Sequence, residues 1–194
     1  MKRSVLVAAM SAVMLLVTPL SHASIIYLHA NLDGVSEVPS NASPATGFTQ
    51  VTIDTVTHKM RLEVTFSGLL GTTTASHIHC CTTVPFAGTA GVATTTPTFL
   101  GFPSGVTSDT YDNTLDLTVA SSYRAQFITD NGGTAGAEAA LIAGMLAGKS
   151  YLNIHTNQFP GGEIRGFLVP EPAMLSLLAL SLAAGLVSRR RQRV

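Results

Sequence analysis

The chain contains no tryptophan, and only 6% of its 194 residues are aromatic. That absence weakens any reading as a sugar-stacking surface. Charge is equally sparse at 11%, and its even balance is misleading. Lys2, Arg3 and the four arginines after Ser188 lie at the two ends, so residues 24–169 keep five basic against ten acidic side chains. A domain about five charges negative does not suit nucleic acid or an anionic surface. There are two cysteines, Cys80 and Cys81, and they are adjacent, so no disulfide framework can staple distant segments. No Ser-His-Asp set, paired-carboxylate signature or phosphate loop stands out. Catalytic residues are therefore not assigned, and enzymatic activity is not expected.

What is present begins at the ends. Lys2 and Arg3 precede an apolar run from Val5 to Val17, and Ser21-His22-Ala23 has the small-x-small form of a signal peptidase site. The expectation is a signal peptide over residues 1–23, cleaved after Ala23. At the other end, Pro170-Glu171-Pro172 is followed by uncharged Ala173 to Val187 and then by Ser188-Arg189-Arg190-Arg191-Gln192-Arg193. As a helix, 173–187 spans about 22 Å, short of the ~30 Å hydrocarbon core. It is read as a marginal transmembrane helix with its arginines cytoplasmic, holding the chain at the inner membrane in transit. The ordered triplet over residues 170–194 resembles a PEP-CTERM sorting signal. The resemblance implies a Gram-negative bacterium, an exosortase-type membrane protease and delivery to the outer surface or an exopolysaccharide matrix. Because each proline pushes its predecessor toward extended backbone, the Pro-Glu-Pro stretch is expected to be extended, unpaired and open to that protease.

Between the ends, residues 24–169 make one domain of ordinary size. Met60, Leu62, Val64 and Phe66 alternate with Arg61, Glu63 and Thr65, the period of a half-buried strand. Ile25 to Leu32, Phe48 to Ile53, Leu115 to Val119, Tyr151 to Thr156 and Glu163 to Val169 read as further strands, with a hairpin turn at Asp54 to His58. Ala135 to Ala147 has helical spacing, with Gly144 as an internal cost and Gly148 suited to the C-terminal stop. The region from Phe86 to Ser108 reads mostly as loop. The class is all-β: an antiparallel β-sandwich or Greek-key barrel with one short helix in a connection.

Six short motifs occur in order: Glu37-Val38-Pro39, Pro44-Ala45-Thr46-Gly47, Phe66-Ser67-Gly68-Leu69, Ala75-Ser76-His77-Ile78-His79, Asn153-Ile154-His155-Thr156 and Pro160-Gly161-Gly162-Glu163-Ile164-Arg165-Gly166. Together they resemble the CHRD domain, from about Ile25 to Leu168. The resemblance implies an extracellular all-β module with no established enzymatic activity. The chain departs from that family after His79, where it carries Cys80-Cys81.

Strand geometry organises the remaining chemistry. If Ala75 to Cys81 is extended, His77, His79 and Cys81 share one face, and on the later strand Tyr151, Asn153 and His155 do the same. His77, His79 and His155 form a three-nitrogen set suited to zinc or copper, with Cys81 as a further candidate ligand. The other reading is a hydrogen-bonded polar cluster between strands. Cys80 and Cys81 have three readings: a vicinal disulfide, favoured by the exported compartment, a thiolate ligand at Cys81, or an intermolecular bond. Glu163 and Arg165, two apart on one face, are read as a structural pair within reach of a salt bridge. The first functional expectation is a non-enzymatic cell-surface or matrix module whose partners are signal peptidase, the exosortase-type protease and extracellular polysaccharide. The alternatives are a zinc- or copper-binding, redox-active extracellular protein and a glycan-binding module.

Overall fold

A computed structural model of the chain describes residues 25–171. The expected signal peptide over residues 1–23 and the expected transmembrane helix over 173–187 lie outside those residues. Eight strands, β1 (Ile25–Asp33), β2 (Thr46–Asp54), β3 (Lys59–Ser67), β4 (Thr73–His79), β5 (Asp109–Asp116), β6 (Tyr151–Thr156), β7 (Ile164–Phe167) and β8 (Val169–Pro170), form one sheet. The order is β4-β6-β7-β1-β2-β3-β5, with β8 also against β1, and every pairing is antiparallel. The sheet curls into a half-barrel, the all-β antiparallel class that the alternation predicts.

Period-two burial decides which face turns inward. Ile26, Leu28 and Leu32 of β1, Val51 and Ile53 of β2, and Met60, Leu62, Val64 and Phe66 of β3 are buried while their neighbours are not. The β2–β3 hairpin is tightened by Asp54, whose Oδ1 accepts from the backbone N–H of Val56 at 2.8 Å and of Thr57 at 3.1 Å, an Asx turn. The long connection after β4 closes the half-barrel. Its backbone bonds the free edge of β4 (Cys80 N to Gly91 O, 3.1 Å; Ala93 N to Ile78 O, 3.0 Å; Phe99 N to Ser76 O, 3.1 Å). At the opposite edge of the sheet, the Tyr111 hydroxyl of β5 donates to Leu100 O at 3.0 Å.

Two helices follow β5, α1 (Ala125–Asp130) and α2 (Thr134–Leu146), where one was expected. Helix α2 buries Ala137, Leu141, Gly144 and Met145, a stripe of helical period. Gly144 is explained by what it faces: a Cβ there would lie 2.4 Å from Cys80 Sγ and 2.5 Å from Cys81 Sγ. The helix ends in a Schellman motif, with Lys149 N bonding Gly144 O at 2.8 Å, Gly148 N bonding Met145 O at 3.1 Å, and Gly148 at φ +66°.

The Pro-Glu-Pro expectation needs correction as far as Glu171. Val169 and Pro170 pair with His29 and Leu28 as β8, Pro170 is buried, and Glu171 N donates to Tyr27 O at 3.1 Å. The start of the sorting motif is thus strand-paired, because β1 has free backbone groups beside the short β7.

Glu163 ties this arrangement together. It is fully buried, and its carboxylate accepts from Ser43 Oγ at 2.7 Å, Leu70 N at 2.6 Å, Gly71 N at 3.1 Å and Thr156 Oγ1 at 2.8 Å. Burial alone raises a carboxyl pKa, but these four bonds outweigh it and hold the group below its ordinary 4.5. Replacing Glu163 with alanine strands four donors and should lower unfolding free energy by at least ~2 kcal/mol in urea. A carboxyl whose folded pKa is depressed stabilises above its unfolded pKa and loses that contribution as pH falls through the folded one. Below pH 4.5 the wild type should therefore lose stability faster than Glu163→Gln.

Candidate metal centre

The registers of β4, β6 and β7 build one polar face. His77 stands opposite Asn153, His79 opposite Tyr151 and Ala75 opposite His155, while Arg165 of β7 stands opposite Asn153 from the other side. Directly opposed residues in an antiparallel pair point to the same side, so the pleat alone places these side chains together. Unlike the outer face of β1–β3, this face is covered: His77 is 7% exposed, His79 9%, Asn153 3% and Arg165 3%.

The three imidazoles form a compact triangle, with ring centroids 5.9 Å apart for His77–His79, 5.2 Å for His77–His155 and 6.0 Å for His79–His155. Each ring bonds one backbone carbonyl from a covering loop. His77 Nε2 meets Pro97 O, His79 Nδ1 meets Ala90 O at 2.9 Å, and His155 Nδ1 meets Pro160 O at 3.0 Å. A carbonyl oxygen only accepts, so each bonded nitrogen carries the proton and the other keeps its lone pair. Those others, His77 Nδ1, His79 Nε2 and His155 Nε2, are buried and unpartnered. One ring nitrogen from each histidine lies within 4.8 Å of the other two.

Electrostatics keep the rings neutral. Burial lowers all three pKa values, and the neighbouring histidines add to the effect at His77 and His79. His79 is pushed down to about 4. Neutral imidazole is the form that ligates metal.

A second layer braces the triangle. Tyr151 stacks on His79 with centroids 4.7 Å apart and planes 6° from parallel, and the Arg165 guanidinium lies 4.6 Å from the Tyr151 ring centre. Arg165 donates Nε to Ser36 O and Nη1 to Gly88 O, the latter at 3.2 Å. Its carboxylate neighbour is Glu37, 3.8 Å away, and Glu163 is engaged elsewhere, so the salt bridge that the spacing of Glu163 and Arg165 allows does not form. Desolvation pushes Glu37 up to about 7 despite Arg165. Glu37 also lines a cavity of about 320 Å³ with Val38, Pro39, Phe159 and Gly162.

The structure brings His77, His79 and His155 together and leaves Cys81 out. Cys81 Sγ is bonded to Cys80 Sγ, with Cα atoms 3.0 Å apart across a cis peptide, and both sulfurs pack against Gly144 of α2. A sulfur so bonded is no thiolate, and β4 ends at His79, so the strand alternation that places Cys81 on the histidine face stops short of it. Glu37 was not predicted as part of this face: it follows β1 in a loop, where no period marks its direction.

A model of the CHRD domain matches residues 28–168. The chain belongs to the CHRD domain family. The PEP-CTERM protein-sorting motif matches residues 168–191 and begins where the CHRD domain ends. This CHRD protein is thereby an exported Gram-negative protein sorted through the membrane and processed by an exosortase-type protease. No curated protein and no solved structure matches the chain.

The hydrogen bonds fix tautomers that nitrogen NMR can read. In the metal-free protein at neutral pH, His77 should be the Nε2–H form and His79 and His155 the Nδ1–H form. Histidines whose folded pKa is depressed take up protons on unfolding between the folded and unfolded values, so stability should rise with pH from about 4 to 6.5. Flat stability across that window would contradict the neutral triangle.

Proposed function

We propose that this exported CHRD domain binds one zinc or copper ion through His77, His79 and His155, and carries it to the cell surface or extracellular matrix. The observations that support this most are that one nitrogen of each ring lies within 4.8 Å of the other two, and that each ring has one nitrogen bonded to a carbonyl and the other buried without a partner. A hydrogen-bonded polar cluster would join the rings to each other, whereas here every bonded ring nitrogen goes to a backbone carbonyl. Carbonyl bonds to the non-ligating nitrogen are the usual outer shell of metal-bound histidine. The 4.8 Å spacing contracts to metal–nitrogen bonds of ~2 Å with side-chain movement alone. Three neutral imidazoles leave charge on the ion uncompensated, as in open sites with a further position to fill. Imidazole donors favour zinc and copper over magnesium or calcium.

The vicinal disulfide supports the same division of labour. With both sulfurs bonded to each other, no thiol competes for a soft ion, and the centre is purely nitrogen-based. The sorting motif supports delivery outside the cell, and the burial of His77 and His79 supports a cargo that travels with the fold.

Elemental analysis of the exported protein after dialysis against zinc or copper should find one ion per chain. His77→Ala, His79→Ala or His155→Ala should each weaken binding by tenfold or more, the scale seen even for outer-shell losses, while Cys81→Ser should not. A wild-type protein that takes up neither ion removes this function. Mass spectrometry of the surface form from its host should find Arg189–Arg193 gone, and their retention would leave a plain anchor.

A further inference from the structure

Among the described residues, six buried side-chain atoms lack a hydrogen-bond partner, and five of them lie on the histidine face. Besides the three ring nitrogens they are Glu37 Oε1 and Asn153 Oδ1. Buried polar atoms are nearly always paired, so five orphans on one face call for a common cause.

The two oxygens converge. The point where a Cβ on Gly162 would sit is 2.5 Å from Glu37 Oε1 and 2.5 Å from both Oδ1 and Nδ2 of Asn153. Asn153 in turn faces His77 across β4–β6 and stands two residues from His155 on the same strand, so its amide borders the histidine triangle. Arg165 spends its Nε and Nη1 on Ser36 O and Gly88 O, and neither Glu37 Oε1 nor Asn153 Oδ1 receives a hydrogen bond from it. Glycine at 162 is what leaves the space between the oxygens open: a side chain there would fill it, and φ of +129° disfavours one in any case.

A bare metal ion satisfies the nitrogens and leaves both oxygens unpaired. An ion carrying one water satisfies all five. We propose that the metal's fourth ligand is a water molecule whose two hydrogens are accepted by Glu37 Oε1 and Asn153 Oδ1. This rests on the three-histidine reading and extends it. Three histidine nitrogens and one water oxygen make the four-coordinate arrangement of an open site, and a metal-bound water is a stronger donor than a free one. With Glu37 Oε1 and Asn153 Oδ1 as unpartnered acceptors beside the fourth position, the centre favours a ligand that brings its own protons over an anion that brings none. Glu37 and Asn153 are positioning residues, acting on the ion through the water.

Copper(II)-loaded exported protein tests this by electron–nuclear double resonance in H2O and D2O, together with azide titration. The wild type should show strongly coupled exchangeable protons and bind azide weakly. Glu37→Gln replaces an acceptor by a group able to donate, and should tighten azide binding about tenfold, the ratio that one hydrogen bond to a charged group sets, with copper stoichiometry unchanged. Asn153→Ala should weaken the proton coupling in the same preparation and serves if the first variant does not fold. Full copper loading without exchangeable protons, or equal azide affinity in wild type and Glu37→Gln, would overturn the bound water and leave the three-histidine site standing. Absence of copper uptake would overturn both.

Discussion

The buried carboxylate of Glu163 is the constraint on which the rest of the domain depends. A charge without solvent is costly unless hydrogen bonds replace the lost water, and here all the replacements come from other segments. Ser43 belongs to the loop after β1, Leu70 and Gly71 to the β3–β4 connection, and Thr156 to the end of β6. The backbone of the same residue accepts from Asn41 Nδ2 at 3.0 Å and donates to Ile154 O at 2.8 Å. One side chain therefore fixes the β6–β7 turn, and with it Pro160, whose carbonyl holds His155, and Gly162, which borders Glu37 and Asn153. The stability of the fold and the shape of the polar face share a single anchor.

The second structural choice is the covering of one half of the sheet on both faces. On β1–β3 the outward residues meet solvent, as Arg61, bonded to Asp112 through Nε at 2.9 Å, and Phe48, half exposed, both show. On β4 and β6 the outward residues are roofed by the segments carrying Ala90, Pro97 and Pro160. Roofing removes water from the imidazoles, which lowers their pKa, and it supplies backbone carbonyls where water would otherwise have been. The carbonyl bonds raise the pKa values and burial lowers them; burial outweighs, so the rings stay neutral while each carbonyl chooses the nitrogen that carries the proton. The Cys80–Cys81 disulfide belongs to this roof: it stands between β4 and the covering loop and rests on α2 at Gly144, where a Cβ would meet both sulfurs.

Much of this was legible in the residues. The alternation of Met60, Leu62, Val64 and Phe66 predicts its strand because the pleat is a local property, and the Asp54 to His58 turn and the Gly148 stop rest on equally local backbone preferences. His77 and His79 read as one face for the same reason. What misled was also local reasoning. Glu163 and Arg165 stand two residues apart, yet the one pairs with loops and the other with Glu37, because partners in a buried network are set by which chains cross there. Pro170-Glu171 reads as an unpaired segment, and only the position of β1 beside the short β7 gives it a partner.

The sequence by itself determined the class of the fold, the sorting motif at its C-terminal end, and the placing of His77, His79 and His155 toward a common side, since each depends on order and periodicity along the chain. The tertiary structure decided everything about their chemistry. The carbonyls of Ala90, Pro97 and Pro160 that choose each tautomer carry no side-chain signature, because every residue has one. Glu37 reaches the same face from a loop after β1, and Cys81 leaves it by bonding its neighbour. Chain crossing, burial and the removal of water turn a row of polar residues into a set of neutral rings with unpartnered nitrogens, and none of these is a property of residues read in order.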